Sequence, residues 1–205
     1  IQPHEVEPMT AFLEQNRLQV PRFVPMVRAR MTTINGESVT QMTFEDPQGE
    51  RWARRDSNLS WSAELQADNR IVEGEFWQPD TQQAEVSVEL DFGRELGLSL
   101  GDEVAFSIAG EEVSAKVTSF RTVEWDSFSP NFFMVFSPRV LDPYPATYIS
   151  SMYIEESGRP ALLELMRQFP SVTAIDLDAV LGQVRDVMDK AAMAVQAVFV
   201  FTLLA

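Results

Sequence analysis

The pattern of apolar and polar residues predicts β-strands through much of the first 140 residues. Residues 22–34 alternate apolar and polar side chains with a period of two, which is typical of a half-buried strand. Asn35-Gly36, directly after it, is a strong signal for a tight turn. The same alternation predicts further strands, and a nearly continuous aromatic run predicts one that is buried on both faces. These segments are residues 58–63, 84–90, 103–108, 113–123 and, for the aromatic run, 131–137.

Helices are predicted where apolar residues recur every three or four positions. Pro8 is expected in the first turn of a helix that ends near Asn16, with Met9, Phe12 and Leu13 on its apolar face. Residues 91–98 predict a short helix between two strands, and the polar stretch 37–57 predicts a connection or a short helix. Strands are expected over 146–154 and 171–175. Between them, a helix over 160–168 is expected to direct Leu162, Leu163, Leu165 and Met166 inward.

The last predicted helix changes character along its length. From Asp178 to Lys190 it is amphipathic, and the face that carries Val184, Val187, Ala191 and Val195 continues into the uncharged run 191–205. This pattern is typical of a helix that passes from water into hydrocarbon, although fifteen residues fall short of the roughly 18 to 20 that span a bilayer. We therefore expect an extramembrane domain that leads into a membrane span. The alternative is a buried C-terminal core helix.

The composition and net charge of the chain argue against several classes of binding partner. With 205 residues, of which 45% are hydrophobic, the chain can bury a sizeable core. Its formal net charge of −15 argues against binding to nucleic acid, because phosphate contacts need clustered Lys and Arg. The same charge is repelled by anionic lipid head groups. The absence of cysteine from the sequence excludes disulfides and thiolate metal sites.

No pattern in the sequence predicts catalysis. His4 is the single histidine, and there is neither a Gly-x-Ser-x-Gly elbow nor a P-loop. Asp176 and Asp178 flank Leu177 where a predicted strand gives way to a helix. They could form a calcium or catalytic site, but a role in capping the helix is favoured. The sequence therefore predicts a chain that is not an enzyme and that has no metal or cofactor.

Aromatic residues give two candidate contact regions. The first has an unusual aromatic density and is either an apolar groove or, as favoured, part of the core. It comprises Trp125, Phe128, Phe132, Phe133 and Phe136, with Tyr144, Tyr148 and Tyr153 downstream. The second consists of Trp52, Phe76 and Trp77, which lie in loop-like contexts. These three are predicted to be exposed contacts for a partner or substrate.

Several segments resemble a known family. They are residues 123–136 (VEWDSFSPNFFMVF), 23–35 (FVPMVRARMTTIN), 58–61 (NLSW) and 168–176 (QFPSVTAID), the last leading into 179–184. Together they resemble the second extracytoplasmic domain of FtsX-like/MacB-like ABC transporter permeases, within the YbbP-like subfamily of predicted exporter permeases. The stretch 40–51 is longer than that pattern suggests.

The resemblance implies an α+β fold with two lobes. Residues 1–45 and 145–205 would form a porter-like lobe of two β-α-β units from the chain ends. Residues 46–144 would form an inserted β-rich, Sabre-like lobe. The final helix would continue into the next transmembrane helix.

The resemblance also implies a function. The chain would be the periplasmic domain of a permease in the bacterial inner membrane, coupled to a cytoplasmic ABC ATPase. The final helix would act as a lever, and the substrate would be hydrophobic or lipid-like. The alternative is a membrane-anchored binding module that holds a hydrophobic ligand or a partner protein without transport. A lipid-acting hydrolase is the weakest possibility, because no activated nucleophile can be assembled.

Overall fold

The first helix begins five residues earlier than predicted. The computed structural model describes residues 1–177, 188 and 190–193, and in it α1 runs from Pro3 to Gln15. Pro3 occupies the first turn, where the backbone N of Gln2 donates to Oε2 of Glu5 at 2.7 Å. Pro8 therefore lies inside the helix, and its predicted first-turn position is wrong. A first-turn proline lacks an N–H that has no helical partner anyway, which favours Pro3 for that place.

The remaining elements follow in chain order, and most lie close to their predicted positions. They are β1 (Val24–Ile34), β2 (Glu37–Ser38), α2 (Pro47–Arg54), β3 (Asp56–Trp61), β4 (Asn69–Gly74), β5 (Glu85–Glu89), α3 (Leu90–Leu96), β6 (Glu103–Ile108), β7 (Glu111–Val123), β8 (Met134–Phe136), β9 (Thr147–Ile149), a 3₁₀ turn (Glu156–Gly158) and α4 (Arg159–Gln168). Residues 37–57 were predicted to form either a connection or a short helix, and the structure contains the short helix, α2. The strand β4 was not predicted.

The strands of the described residues form one nine-stranded sheet of mixed direction. Strand β1 pairs antiparallel with β3, β6 and β9, so that Val27 faces Leu59 and Met31 faces Phe106. Strand β5 lies between β7, to which it is parallel, and β8, to which it is antiparallel. A large sheet with a few helices agrees with the predicted mixture of α and β structure.

Strand β1 belongs to one predicted lobe, whereas β3 and β6 belong to the other. These strands nevertheless share a sheet. The division into a lobe of residues 1–45 and 145–205 and a lobe of residues 46–144 stays a prediction.

The predicted turn after β1 is confirmed. Asn35 and Gly36 both adopt positive φ, at 52° and 79°, as the favoured two-residue hairpin turn requires. The Asn35 side chain also bonds to the start of the neighbouring strand β6: its Nδ2 donates to Asp102, and its Oδ1 accepts from the backbone N of Glu103, both at 2.9 Å. The turn therefore fixes the register of β1 against β6.

The C-terminal third contains less strand than predicted. Only Thr147–Ile149 of the expected strand 146–154 pairs, through β1, and the Tyr153 side chain beyond it is exposed. The strand expected over 171–175 is absent, and Ile175 is 71% exposed. An alternating pattern forms a strand only where a neighbouring strand supplies its hydrogen bonds. The second predicted β-α-β unit is therefore not formed within the described residues.

Helix α4 also differs from its predicted packing. Leu165 is buried, whereas Leu163 is 59% exposed and Met166 is 40% exposed. Leu162 is half-buried. The expectation that all four apolar side chains point inward is wrong, because a single helix face cannot bury positions 162, 163, 165 and 166 at once when only one side of it is packed.

The chain divides into two units, residues 1–171 and residues 172–205. In the second unit, Leu177, Met188 and residues 190–193 are helical. Of the predicted lever residues, Ala191 is helical and exposed, while Val184, Val187 and Val195 lie outside the described residues. No helix in the described part of the chain is long and apolar enough to cross a membrane.

Candidate functional site

Two short helices in residues 1–171 pack unusually close together and set one wall of a cleft. Gly49 on α2 has no side chain, and a Cβ there would lie 1.9 Å from the backbone oxygen of Glu95 on α3. Asp46 caps the N-terminus of α2, and its side chain accepts from the backbone N of Gln48 at 2.7 Å. This approach places Trp52 of α2 beside Phe92 of α3, and the Trp52 indole N–H donates to the Glu95 carboxylate.

Four aromatic rings form the wall of this aromatic cleft. Phe133 lies at their centre, stacked on Phe92 at 4.9 Å between ring centroids and tilted against Trp52 and Trp125, each at 5.0 Å. Phe92 is buried in the core, whereas Trp125 is 51% exposed at the edge. Aromatic pairs of this kind stabilise by about 0.5 to 1.5 kcal/mol beyond their buried area. The wall is therefore a fixed surface, open to solvent on the side of Trp125.

The aromatic cleft encloses a cavity of about 260 Å³. Its inner lining is apolar and includes Leu59, Phe92, Phe132, Phe133 and Met134. Polar residues also line it, namely Arg55, Asp56, Ser57, Asn58 and Asn131. This combination of an apolar interior with a few polar groups is typical of small-molecule sites, although the volume is near the lower end of their range.

Arg55 and Asp56 are the two ionisable residues of the lining. The Arg55 guanidinium carbon lies 3.7 Å from the centroid of the Trp52 ring, in a cation–π contact. Asp56 is already occupied, because its Oδ1 accepts from Nε and from a terminal N of Arg30, at 3.1 and 2.8 Å. Because Arg30 pairs with Asp56, Arg55 is the charged lining residue that has no ion-pair partner in the described part of the chain.

A buried arginine supports Phe132 and Phe133, the two residues directly before β8. Arg121 of β7 is fully buried, and its guanidinium donates to Oδ1 of Asn69 at 2.8 Å and to the carbonyl of Ser87 at 2.9 Å. It also donates to the carbonyls of Phe132 and Phe133. Burial lowers the pKa of Arg121 to about 10, although the negative charges of Glu89 and Asp68 oppose this shift. The guanidinium stays protonated and holds the backbone of the cleft wall.

The loop that carries Trp125 is tied to the same arginine through Asn69. The Nδ2 of Asn69 donates to Oδ1 of Asn131 at 2.7 Å, and Asn131 in turn donates to Asp68 at 2.7 Å. Ser127 donates to the same Asp68 oxygen, also at 2.7 Å. Partial burial alone would raise the pKa of Asp68, but the hydrogen bonds from Ser127, Asn131 and Asn69 outweigh it and lower that pKa.

The three predicted contact residues do not come together. Trp52 lines the aromatic cleft and is half-buried. Phe76 and Trp77 stack on each other at 3.9 Å in a separate apolar cluster with Val24 and Val135. Trp77 is only 6% exposed, and its indole N–H donates to the carbonyl of Ser62 at 2.9 Å. The expectation of an exposed Trp77 is therefore wrong, and Phe76 is half-buried. Their role as contacts stays a prediction.

The predicted aromatic region divides between core and surface. Phe136 is buried in the core, as favoured, Trp125 and Phe133 line the aromatic cleft, and Phe132 is both buried and part of the cleft lining. Phe128 is 61% exposed, with a φ of 57° that is rare for a bulky residue. Some residues of the predicted aromatic region thus belong to the core and others line a groove, so each of the two predicted alternatives holds for part of the region.

Sequence reasoning missed Arg55 and Arg121. Arg55 follows Trp52 by three residues at the end of a short helix, a spacing that brings two side chains together. Arg121 continues the inward-facing series Ala115, Val117 and Ser119 of β7. A charged residue in an apolar series is the signal that could have found it. Among the described residues, no group of three or more His, Asp and Glu side chains could hold a metal ion.

Comparison with known proteins associates this chain with transporter permeases. It is 36% identical over 184 residues to a protein of Escherichia coli K12 known as the uncharacterized ABC transporter permease YbbP. The match covers 90% of this chain and 22% of the relative, so the chain spans about a fifth of the protein that it matches. The chain is therefore similar to a part of an ABC transporter permease. No family model matches it.

Among solved structures, the chain is similar to a domain of a candidate permease protein from Porphyromonas gingivalis. The TM-score is 0.36 with 11% identity, over 78% of this chain and 68% of the other. A similarity of this level supports no further statement.

The Escherichia coli relative is a permease. Permeases are not enzymes, since they move a substrate without transforming it, and this relative thus confirms the prediction that this chain is not an enzyme.

Proposed function

We propose that this chain is the periplasmic domain of an ABC transporter permease in the bacterial inner membrane, and that it transmits ATPase-driven motion to a hydrophobic substrate. The observation that carries the proposal is the 36% identity to the permease YbbP over 90% of the chain. An ABC permease works with an ATPase, which in this proposal binds the full-length permease on the cytoplasmic side. Flanking transmembrane helices would link the two.

The proposed lever is the helix face that carries Val184, Val187, Ala191 and Val195. Helical backbone at Met188 and residues 190–193 supports it. The uncharged sequence after Lys190 supports its continuation into the membrane. A stiff helix transmits displacement along its axis, because each of its backbone hydrogen bonds resists bending. Movement of this helix would then open or close a substrate site in the domain.

Proline substitution in the lever helix tests the proposal. Ala191→Pro removes one backbone hydrogen bond and kinks the helix. The full-length permease with this change and its ATPase partner would be reconstituted in liposomes that contain a fluorescent fatty acid. We expect ATP binding to the partner to persist and ATP-driven extraction of the probe to be lost. Ala191→Leu keeps the helix and should retain extraction. Normal extraction by the proline variant would overturn the lever.

A second candidate function is a membrane-anchored binding module without transport, holding a hydrophobic ligand or a partner protein. The observation that favours it is the aromatic cleft, a cavity of about 260 Å³ with apolar side chains in its lining. The two candidates differ in their dependence on ATP. Release of a bound probe that requires ATP hydrolysis supports the transporter, whereas release that is indifferent to ATP and to the ATPase supports the binding module.

A further inference from the structure

Among the described residues, Arg55 is the one cation that lines the aromatic cleft. The chain carries a formal net charge of −15, yet the lining charges are Arg55 and an Asp56 carboxylate that is paired with Arg30 at 2.8 Å. Among the described residues, no carboxylate forms an ion pair with Arg55. Arg55 is exposed and has no carboxylate partner within that part of the chain, so its guanidinium is available to an anion that enters the cleft from solvent.

The position of Arg55 leaves its donors free for such an anion. Its guanidinium lies over the Trp52 ring at 3.7 Å, and Trp52 is itself fixed by its hydrogen bond to Glu95 and its contact with Phe92. The ring contact uses none of the guanidinium N–H groups, and such groups can bind a carboxylate or phosphate with two parallel hydrogen bonds. The aromatic contact therefore orients the cation without using its donors.

The interior of the cleft fits a short apolar chain. Its volume is about 260 Å³, just below the roughly 300 Å³ at which ordinary ligand pockets begin, so it admits only a short segment of hydrocarbon chain. Leu59, Phe92, Phe133 and Met134 line this interior, while Trp125 at the edge is half exposed and can cover an entering chain. An occupant that satisfies both ends has an apolar tail and an anionic head.

We propose that the aromatic cleft binds the chain end of an anionic amphiphile, and that Arg55 holds its carboxylate or phosphate head. The proposal rests on the proposed function, and deepens it, by naming anionic amphiphiles as the class of substrate. The tail replaces water on the aromatic wall, and the head forms charge-assisted hydrogen bonds with Arg55. Trp52 and Trp125 both contact the occupant and should report its binding.

Titration of this 205-residue chain with four amphiphiles of matched chain length tests the proposal. Decanoate, decyl phosphate, 1-decanol and decyltrimethylammonium each have a ten-carbon chain, which in decanoate includes the carboxyl carbon, and they differ in the head; each is added below its micelle-forming concentration. Binding is followed by tryptophan fluorescence and by calorimetry. We expect saturable binding of both anions, about tenfold tighter than that of decanol, since a charge-assisted hydrogen bond is lost with the neutral head. The ammonium compound should bind most weakly.

Two pairs of variants separate the head from the tail. Arg55→Ala should weaken both anions about tenfold and leave decanol unchanged, whereas Arg54→Ala, which removes the neighbouring arginine paired with Glu50, should change neither. Trp125→Ala should weaken anions and decanol alike. Its control is Phe128→Ala, which removes another exposed aromatic that does not line the cavity. Circular dichroism would verify that each variant is folded.

Three results would overturn the proposal. They are an absence of saturable decanoate binding, equal affinity for decanoate and decanol, and tighter binding of the ammonium compound, which would mark the wall as an aromatic cage for cations. Tighter binding of decanoate than of decyl phosphate would indicate a free fatty acid as the ligand. The reverse order would indicate a phosphate-bearing lipid. These assays need no ATPase, so a failure of transport in the reconstituted permease would leave their outcome intact.

Discussion

The Nε of Arg121 donates to Oδ1 of Asn69 at 2.8 Å, and both side chains are buried. This contact joins two parts of the site. On one side, the guanidinium holds the carbonyls of Phe132 and Phe133 in the cleft wall. On the other, Asn69 passes a hydrogen bond to Asn131 in the loop that carries Trp125. The wall and the edge of the aromatic cleft thus depend on one buried cation.

Replacing Arg121 with methionine should therefore destabilise the domain by about 3 kcal/mol or more, because buried acceptors lose their donors. Methionine approximates the length of the arginine stem and adds no charge. Urea denaturation followed by circular dichroism measures the change in unfolding free energy. Thr122→Ala, at the exposed neighbouring position, is the control and should change it by less than about 1 kcal/mol. An Arg121→Met variant as stable as the native chain would contradict the structural role of this arginine.

The lowered pKa of Asp68 predicts a specific loss of stability in acid. A carboxylate whose pKa is lower in the folded state stabilises that state fully above its unfolded pKa, about 3.9, and this contribution disappears as the pH falls through the folded pKa. Asp68→Asn should thus destabilise the domain by about 1 to 2 kcal/mol at pH 7. The difference from the native chain should shrink below about pH 4.

Urea denaturation at a series of pH values checks this behaviour. Asp126→Asn serves as the control, since Asp126 is an exposed carboxylate of the nearby loop that carries Trp125. A difference between native chain and Asp68→Asn that stays constant from pH 7 to about pH 3 would show that titration of Asp68 is not the cause.

Gly49→Ala should disrupt the wall of the aromatic cleft. The added Cβ meets the backbone of Glu95, so α2 and α3 must separate, and we expect a destabilisation of about 2 to 3 kcal/mol. The contact between Trp52 and Phe92 should loosen, which near-ultraviolet circular dichroism and tryptophan fluorescence would report. Arg51→Ala on the exposed side of the same helix is the matched control. Unchanged stability and spectra in Gly49→Ala would refute the close approach.

Glu5 should titrate differently once its partner is removed. The hydroxyl of Ser171 donates to the Glu5 carboxylate, and together with the backbone N of Gln2 it lowers the pKa of Glu5. Ser171→Ala should therefore raise that pKa, as followed by NMR titration of the side-chain carboxyl. The pKa of Asp68 should not move, because Ser171 makes no contact with it. An unchanged Glu5 pKa would show that this hydrogen bond is not formed in solution.

Period-two alternation predicted most of the sheet because those strands have one buried face and neighbours that complete their hydrogen bonds. The same alternation predicted a strand over 171–175. That prediction is wrong, because no described strand pairs with the segment. Residues 69–74 were missed for the opposite reason. Most side chains of β4 are exposed, so its pairing with β7 gives almost no apolar signal.

The site was less predictable than the fold. Trp52 was predicted as a contact residue because a tryptophan in a polar stretch is conspicuous. The sequence could not show that Gly49, three residues earlier, brings Trp52 against Phe92. Trp77 resembled Trp52 in its local sequence, yet its packing against Val24, some fifty residues distant, buries it. Both outcomes depend on contacts between segments that are far apart in the chain, and local pattern carries no information on them.

The central claim, that ATP drives movement of the final helix, is tested most directly by a distance measurement in the full-length permease with its ATPase. This chain contains no cysteine, so Lys190→Cys and Asp91→Cys, both at exposed positions, can carry spin labels at one site in each unit once cysteines elsewhere in the permease are replaced. Pulsed electron paramagnetic resonance would compare the nucleotide-free and ATP-trapped states. The account predicts that ATP shifts the distance distribution, and that Ala191→Pro abolishes the shift. An identical distribution in both states would contradict it.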